Sequence, residues 1–340
     1  MYAELSAAAQ TAFASVASAA LSAESARSIA AAPGGFATKA VHGQRYWYHQ
    51  IRQPDGRLLQ TYLGKATPEL DALVAQHKDP TAAAAREHLR RLAQAALALG
   101  CDEVIPRHAM VIQRLHDHGF FRVGGVLLGT HCFLAYQNMF GVRWTLGTTT
   151  VDLDFAHSGR NLSLALPDRV DTHAAIESLR MGFVPNADRS TYKKADEPDF
   201  DLDFLTALRR TGDAPVHVEA LNVTLQPLRF LEFSMEAAAP AVLLSRRGPI
   251  VVNMPPAERY AVHKLLVCGE RPAAQRTKAL KDVAQAATLV DYLGTHDPEA
   301  LAAAWADLQS RGPGWRKRAA QGVAMLRRQY PALEAAVLLA

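Results

Sequence analysis

The sequence predicts an α+β protein, with a small mixed β-sheet as its core, an N-terminal hairpin with helices before it and a C-terminal helical domain after it. Two segments, Val151–Phe155 and Phe200–Phe204, alternate aspartate with apolar residues, which is the period-two pattern of a half-buried strand. Segments with helical spacing separate and flank these two runs. From Pro255 onward, helical patterns interrupted by Pro272 replace the strand patterns.

Composition places the chain among ordinary globular proteins. Its 340 residues allow two or three domains, and 49% hydrophobic with 21% charged residues is typical. The net charge of +4 permits contact with nucleotides or RNA without requiring it. No apolar run of about 18 residues is present, so we expect no membrane span. Cys101, Cys132 and Cys268 lack metal-binding spacing and indicate reduced thiols in a cytoplasmic protein.

Residues 1–105 are expected to form an accessory region of helices and a hairpin over 44–63. Pro-Asp-Gly in Gln53–Gly56 joins two extended runs, because proline presets φ and glycine accepts positive φ. The hairpin is rich in aromatic residues, which fit cross-strand packing or, alternatively, a stacking surface for nucleic acid. These aromatic residues are Tyr46, Trp47, Tyr48 and Tyr62.

Residues 106–245 are expected to form the core, which starts with a buried strand followed by a helix. The strand is Val126–Leu128, and Thr130 is a plausible N-cap for the helix up to Phe140. Gly129 at their junction lets a phosphate approach free backbone N–H groups at the positive end of the helix dipole. Gly129 and Thr130 are therefore candidate triphosphate-binding residues. The alternative is a tight turn that requires glycine.

The pair Asp152 and Asp154 predicts a metal site. Both side chains are expected to point to one face of a strand, while Val151, Leu153 and Phe155 point into the core. Two carboxylates on one face repel each other unless a cation lies between them. Oxygen ligands of this kind suit Mg²⁺ or Mn²⁺ together with substrate phosphates. The alternative is two exposed aspartates on an edge strand.

A second acidic strand supplies a third carboxylate. Phe200–Thr206 places Asp201 and Asp203 on one face, and pairing with the first strand would complete a site for two metal ions. Glu219 and Glu232 are competing candidates, ranked lower because neither repeats the acidic alternation. Further elements are expected around them: a helix over Asp168–Gly182 and strands over Val216–Leu228 and Arg229–Met235.

Residues 246–340 are expected to be helical and to carry basic residues toward the substrate. Lys278, Lys281 and Asp282 are three or four residues apart and share a helix face. Opposite a metal site, such a face would neutralise a triphosphate and the leaving pyrophosphate. The alternative is an ordinary solvated charged face.

These motifs together resemble the polymerase-β-like nucleotidyltransferase superfamily and, more closely, bacterial nucleotidyltransferase-like proteins related to AbiEii-type toxins. The resemblance covers roughly residues 40–295. The segments that carry it are Val126–His131, Asp152–Ala156, Asp203–Thr206, Glu258–Leu265 and Lys281-Asp282. It implies catalytic and metal-binding roles for Asp152, Asp154 and Asp203. It also implies nucleotide-binding roles for Gly129, Thr130, Lys264, Lys281 and Asp282. One departure is an insertion, Gly141–Gly147, that could reshape the pocket.

The expected reaction moves a nucleoside monophosphate from an NTP, such as ATP, to an acceptor hydroxyl on RNA, a protein or a small molecule. The resemblance implies tRNA or protein as acceptor, in a toxin–antitoxin or phage-defence setting with a possible antitoxin partner. The alternatives are a non-catalytic domain that binds a nucleotide or a partner, and a metal-dependent nuclease or phosphohydrolase. The Gly129-Thr130 turn argues against the last, because it suits an intact triphosphate.

Overall fold

A computed structural model describes residues 1–25, 35–52, 58–77, 80–158, 170–208 and 212–335. The fold is α+β, as predicted, with a mixed sheet at its centre and helices at its C-terminal end. The predicted turn at Gln53–Gly56 lies outside the described residues. In the described part of the chain, no helix is both long enough and apolar enough to span a membrane.

The N-terminal region contains a three-stranded antiparallel sheet, ordered β2-β3-β4, and three helices. The predicted hairpin is confirmed as β3 and β4, and it gains β2 as a third strand. A short first strand, β1, leaves this region to pair with the core. The elements are β1 (Tyr2–Glu4), α1 (Ala7–Ser25), β2 (Gly35–Val41), β3 (Gln44–Arg52), β4 (Leu58–Lys65), α2 (Pro68–His77) and α3 (Pro80–Ala98).

The core is a mixed sheet with the order β11-β12-β10-β7-β5, and β9 adds β8 beside β10. The strand β10 runs parallel to β7 and β12, whereas β5 is antiparallel to β7. Its elements are α4 (Pro106–Asp117), β5 (Val126–Leu127), α5 (Gly129–Phe140), β6 (Val142–Trp144), β7 (Leu153–Ala156), α6 (Thr172–Ser178), β8 (Phe183–Pro185), β9 (Thr191–Lys194), β10 (Glu197–Ala207), β11 (Val216–Val218), β12 (Val223–Leu228) and α7 (Leu231–Met235).

The C-terminal region is a β-hairpin followed by four packed helices. The hairpin begins before the expected boundary at residue 246. Its second strand alternates buried Ile250, Val252 and Met254 with partly exposed residues, whereas Ala241–Ser245 of its first strand is buried at every position. The break expected at Pro272 is confirmed, since α8 ends before it and α9 begins after it. The elements are β13 (Ala239–Ser245), β14 (Gly248–Met254), α8 (Ala257–Glu270), α9 (Arg276–His296), α10 (Pro298–Ser310) and α11 (Pro313–Gln329).

Three local predictions are wrong or need new limits. The segment Arg229–Met235 was expected to be a strand, but Phe230 has φ +67°, which ends the extended chain and starts the helix α7. The predicted strand Val216–Leu228 is a hairpin, turned at Asn222 with φ 44°. For the helix expected over Asp168–Gly182, Asp168 and Arg169 lie outside the described residues. The described helix is Thr172–Ser178, and Asp171 caps its start by accepting a hydrogen bond from the Ala174 N–H.

Candidate active site

Asp154 and Asp203 lie opposite each other on two neighbouring parallel strands, β7 and β10. The flanking pairs in this register, Leu153 with Leu202 and Phe155 with Phe204, are fully buried on the other face. The rings of Phe155 and Phe204 stack with centroids 5.4 Å apart. Because side chains alternate along both strands, burial of these apolar pairs directs the carboxylates to the same face.

The carboxylate of Asp154 is in a strongly unfavourable environment for a negative charge. Burial, with the negative charges of Asp152 and Asp203 nearby, raises its pKa from 3.8 to about 7, although Lys264 and Lys281 partly offset this. Among the described residues, no salt bridge reaches Asp152, Asp154 or Asp203. Since the lysines offset the repulsion only in part, a cation bound between these carboxylates would stabilise the cluster further.

Asp203 is held in place from the strand on its other side. The Thr191 hydroxyl, which lies opposite it on β9, donates a hydrogen bond of 2.7 Å to Asp203 Oδ1. Burial raises the pKa of Asp203, while this hydrogen bond lowers it in part. Asp201, two residues earlier, instead lies 3.5 Å from Lys193 Nζ. Of the two same-face aspartates on β10, Asp203 is therefore the one next to Asp154.

Gly129 packs directly against the Asp154 carboxylate. A Cβ at this glycine would lie 2.1 Å from Asp154 Oδ2, and its φ of +65° also disfavours any other residue. Position 129 was expected to require glycine so that a phosphate can approach. The close contact with the Asp154 carboxylate is a second reason why glycine is required there. The turn and the aspartate strand form one continuous site.

Thr130 lies inside the first turn of α5 and is not its N-cap, so that prediction is wrong. Leu128 occupies the N-cap position without a side-chain hydrogen bond. Thr130 is only 5% exposed, and its Oγ1 accepts a hydrogen bond of 3.3 Å from Gln285 Nε2. The Tyr260 hydroxyl lies 2.8 Å from Gln285 Oε1 and 3.0 Å from the Gly129 carbonyl oxygen. This buried network ties the Gly129-Thr130 turn to α8 and α9.

Lys264 and Asp282 form a buried ion pair. Lys264 Nζ donates to Asp282 Oδ1 at 2.8 Å, and Arg271 Nε donates to Asp282 Oδ2 at 2.5 Å. Asp282 is 2% exposed. Burial raises the pKa of its carboxyl, but Lys264 and Arg271 lower it by more, so the pKa lies below its ordinary value. Asp282 therefore holds the side chains of Lys264 and Arg271 in position. The positive charge of Lys264 also lowers the pKa of Asp154.

Lys281 and Lys278, on α9, are close enough to the carboxylates to affect their pKa values. Lys281 is half-buried, and burial lowers its pKa, while the charge of Asp152 partly restores it. Lys278 is exposed and is close enough to lower the pKa of Asp203. The structure thus places three lysines, including Lys264, around three aspartates.

The geometry is consistent with metal binding only if the substrate completes the coordination. In the ranges that the structure describes, no three His, Cys, Asp or Glu side chains are arranged to hold a metal ion. Mg²⁺ commonly takes one or two carboxylates and completes its shell with waters and substrate phosphates. Asp152, Asp154 and Asp203 supply hard oxygen ligands that fit this mode of binding.

The insertion Gly141–Gly147 is anchored to β1 and to the helix α5. Its strand β6 pairs with β1, and Trp144 stacks on Phe133 with centroids 5.5 Å apart. The Gly147 carbonyl accepts a hydrogen bond of 2.9 Å from Gln285, which also contacts Thr130. The insertion is thereby linked to the Gly129-Thr130 turn through one side chain.

Glu219 and Glu232, the competing carboxylates, lie on neither β7 nor β10. Glu219 is exposed in a 3₁₀ turn after β11, and Glu232, on α7, lines a separate cavity of about 760 Å³. Thr191, Tyr260 and Gln285 were not among the site residues predicted from the sequence. Tyr260 belongs to one of the segments that carry the family resemblance, but only strand pairing and helix packing reveal the contacts of Thr191 and Gln285.

Acidic side chains on a mixed sheet with lysines from neighbouring helices close to them suit a phosphate-bearing substrate. Comparison with known families agrees. A family model described as nucleotidyltransferase matches residues 107–310, which is more than half of the chain. The protein therefore belongs to this nucleotidyltransferase family, whose members are transferases that use nucleotides. The searches of curated proteins and of solved structures found no match.

Proposed function

We propose that this protein transfers a nucleoside monophosphate from an NTP to an acceptor hydroxyl. The observation that carries the proposal is the register pair Asp154 and Asp203, with Asp152 beside it and lysines opposite. In the reaction, the acceptor oxygen bonds to the α-phosphorus. The bond from that phosphorus to the bridging α,β-oxygen breaks, and pyrophosphate leaves with the electron pair.

Asp152, Asp154 and Asp203 would hold Mg²⁺ or Mn²⁺, which would supply positive charge at the reacting phosphate. Asp203 accepts the acceptor-hydroxyl proton, and the Thr191 hydrogen bond keeps its carboxylate directed at the site. Lys281 and Lys264 bind the phosphates and stabilise the charge on pyrophosphate. The Gly129-Thr130 turn contributes backbone N–H groups to the phosphates, and Gly129, which has no side chain, lets the Asp154 carboxylate lie directly against this turn.

The resemblance to AbiEii-type proteins extends the proposal to a toxin–antitoxin or phage-defence role, with RNA or protein as acceptor and a possible antitoxin partner. The three cysteines are free thiols in the structure, and the proposal keeps the cytoplasmic setting expected from them. Inducing the wild type and Asp154→Asn in bacterial cells tests the toxin role. Growth arrest by the wild type alone supports it, and equal growth of both strains contradicts it.

The enzymatic proposal is tested by incubating the protein with each α-³²P-labelled NTP, Mg²⁺ and either total RNA or total protein. We expect label to move to one acceptor fraction, with release of pyrophosphate, and no transfer by Asp154→Asn. Nucleotide binding without transfer to any fraction would favour a non-catalytic domain. Release of labelled inorganic phosphate or NMP without an adduct would favour a phosphohydrolase.

A further inference from the structure

The outward face of the N-terminal sheet carries three tyrosines and a lysine in mutual contact. The ring centroid of Tyr62, on β4, lies 5.6 Å from that of Tyr48 and 6.0 Å from that of Tyr46, both on β3. Lys39 Nζ, on β2, lies 4.8 Å from the Tyr48 ring centroid. We call this surface, Lys39, Tyr46, Tyr48 and Tyr62, the tyrosine face.

The opposite face of the same sheet is used for packing. Trp47 alternates with the tyrosines of β3, is 8% exposed, and donates a hydrogen bond of 2.6 Å from Nε1 to Asp71 on α2. His49, also on that face, lies close enough to His118 at the end of α4 to affect its charge. Trp47 and His49 thus face the interior, and the tyrosines of β3 lie on the other side of the sheet.

The tyrosines are accessible to a ligand. Tyr62 is 57% exposed, and Tyr46 and Tyr48, whose rings both contact Tyr62, are half-buried. The rings of Tyr48 and Tyr62 meet edge to face, at an interplanar angle of 63°. Since the two rings are not stacked face to face, a flat aromatic group can stack on an open ring face.

The charges of the three strands favour a polyanion. The sequences of β2, β3 and β4 contain Lys39, Arg45, Arg52 and Lys65 but no aspartate or glutamate. Arg45 is paired with Asp71, whereas the amine of Lys39 contacts the neutral Gln60 at 2.5 Å. A phosphate backbone binds to such a surface by releasing its counterions.

We propose that the tyrosine face binds single-stranded nucleic acid. Bases stack on Tyr62 and Tyr48, and the phosphate backbone lies along Lys39 and Lys65. Every base has a π-face, so this mode of binding tolerates many sequences. The inference rests on the proposed function in one respect. A nucleic-acid strand bound here presents the acceptor hydroxyl, so the inference identifies nucleic acid as the class of acceptor.

Fluorescence anisotropy with the full chain tests the proposal in the absence of NTP and divalent cations. The probes are labelled single-stranded RNA and DNA of about 16 nucleotides, which separate the two kinds of nucleic acid. Tyr62→Leu is expected to weaken binding roughly 5- to 150-fold, whereas Tyr62→Phe, which keeps the ring, stays within about twofold. Tyr48→Leu provides a second variant if Tyr62→Leu unfolds, as judged by thermal melting.

Salt dependence separates a phosphate contact from a packing role. Lys39→Ala is expected to reduce the slope of log K against log salt by about 0.7. Lys317→Ala, an exposed lysine on α11, is the matched control and should leave the slope unchanged. Equal slopes for Lys39→Ala and the wild type would contradict the proposed phosphate contact.

The remaining outcomes distinguish this inference from the proposed function. No binding of either oligonucleotide by the wild type, or unchanged affinity in folded Tyr62→Leu and Tyr48→Leu, overturns the inference. Nucleotide transfer to another acceptor, without oligonucleotide binding, overturns the inference alone. Oligonucleotide binding that depends on Tyr62, with no nucleotide transfer under any condition, overturns the proposed function and leaves the tyrosine face as a nucleic-acid surface.

Discussion

Asp203 on β10 is the direct register partner of Asp154 on β7, so two carboxylates from distant parts of the sequence are neighbours on one sheet face. Without a cation, this arrangement costs free energy, because burial and the nearby negative charges favour protonated Asp154. A site that is unfavourable when empty and favourable with cations and phosphates is suited to binding a metal–nucleotide complex.

The Asp154→Asn variant should lose transfer activity while the metal-free protein becomes more stable at neutral and alkaline pH. The pKa of Asp154 is raised from 3.8 to about 7, so its stabilising contribution is complete below pH 4 and is lost as the pH rises to 7. The stability gain of the asparagine variant should therefore grow across this range, to on the order of a few kcal/mol. Urea unfolding at pH 5 and pH 8, without divalent cations, measures it. A constant difference at both pH values would contradict the assigned burial of this carboxylate.

Asp203 should be the third carboxylate required for activity. Asp203→Ala is expected to reduce the transfer rate about 10²- to 10⁴-fold, because it removes the group that accepts the hydroxyl proton. Asp201→Ala, Glu219→Ala and Glu232→Ala are controls and should cause smaller losses, since Asp201 faces Lys193 and the two glutamates lie on other elements. Single-turnover kinetics on the four variants measures the loss of transfer rate in each. A larger loss in any control variant than in Asp203→Ala would contradict the assignment of Asp203 as the third carboxylate.

Gly129→Ala should abolish activity through a steric effect on Asp154. The new Cβ would lie 2.1 Å from Asp154 Oδ2, so the carboxylate must move. Gly182→Ala is a matched control, because Gly182 also has positive φ, +82°, but a Cβ there would meet no atom within 4 Å. Both variants bear a backbone cost of about 1–2 kcal/mol. Melting temperatures and kcat together test this: comparable activity of the two variants would show that Gly129 has only a conformational role.

Lys281→Ala should weaken NTP binding roughly tenfold to a hundredfold and leave nucleoside binding unchanged, because a charge-assisted phosphate contact is lost. Lys264→Ala should weaken NTP binding and also lower stability, since it removes one partner of buried Asp282. Isothermal titration with NTP, NDP, NMP and nucleoside separates these effects. Equal weakening for all four ligands would indicate that the lysines support the fold and do not contact phosphate.

The two acidic strands and the C-terminal helices could be predicted from the sequence because their patterns are local. Alternation along each run specifies which side chains share a face, whatever the strands pair with. The predicted start of the first strand is wrong, because β7 begins at Leu153, which leaves Asp152 before the strand and Val151 exposed. The short strands β6, β8 and β9 were not predicted. Each has three or four residues, too few for a period to be recognised, and each depends on a partner elsewhere in the chain.

By itself, the sequence determined the chemical inventory of the site: three aspartates at strand spacing, a Gly-Thr turn and lysines on helices. Only the tertiary structure decided their relations. In the parallel register of β7 and β10, Asp203 and not Asp201 lies opposite Asp154. Helix packing brings Lys264 and Arg271 to the buried carboxylate of Asp282. The physical reason is that strand register and burial result from contacts between residues far apart in the chain, whereas periodicity reports only on the local backbone.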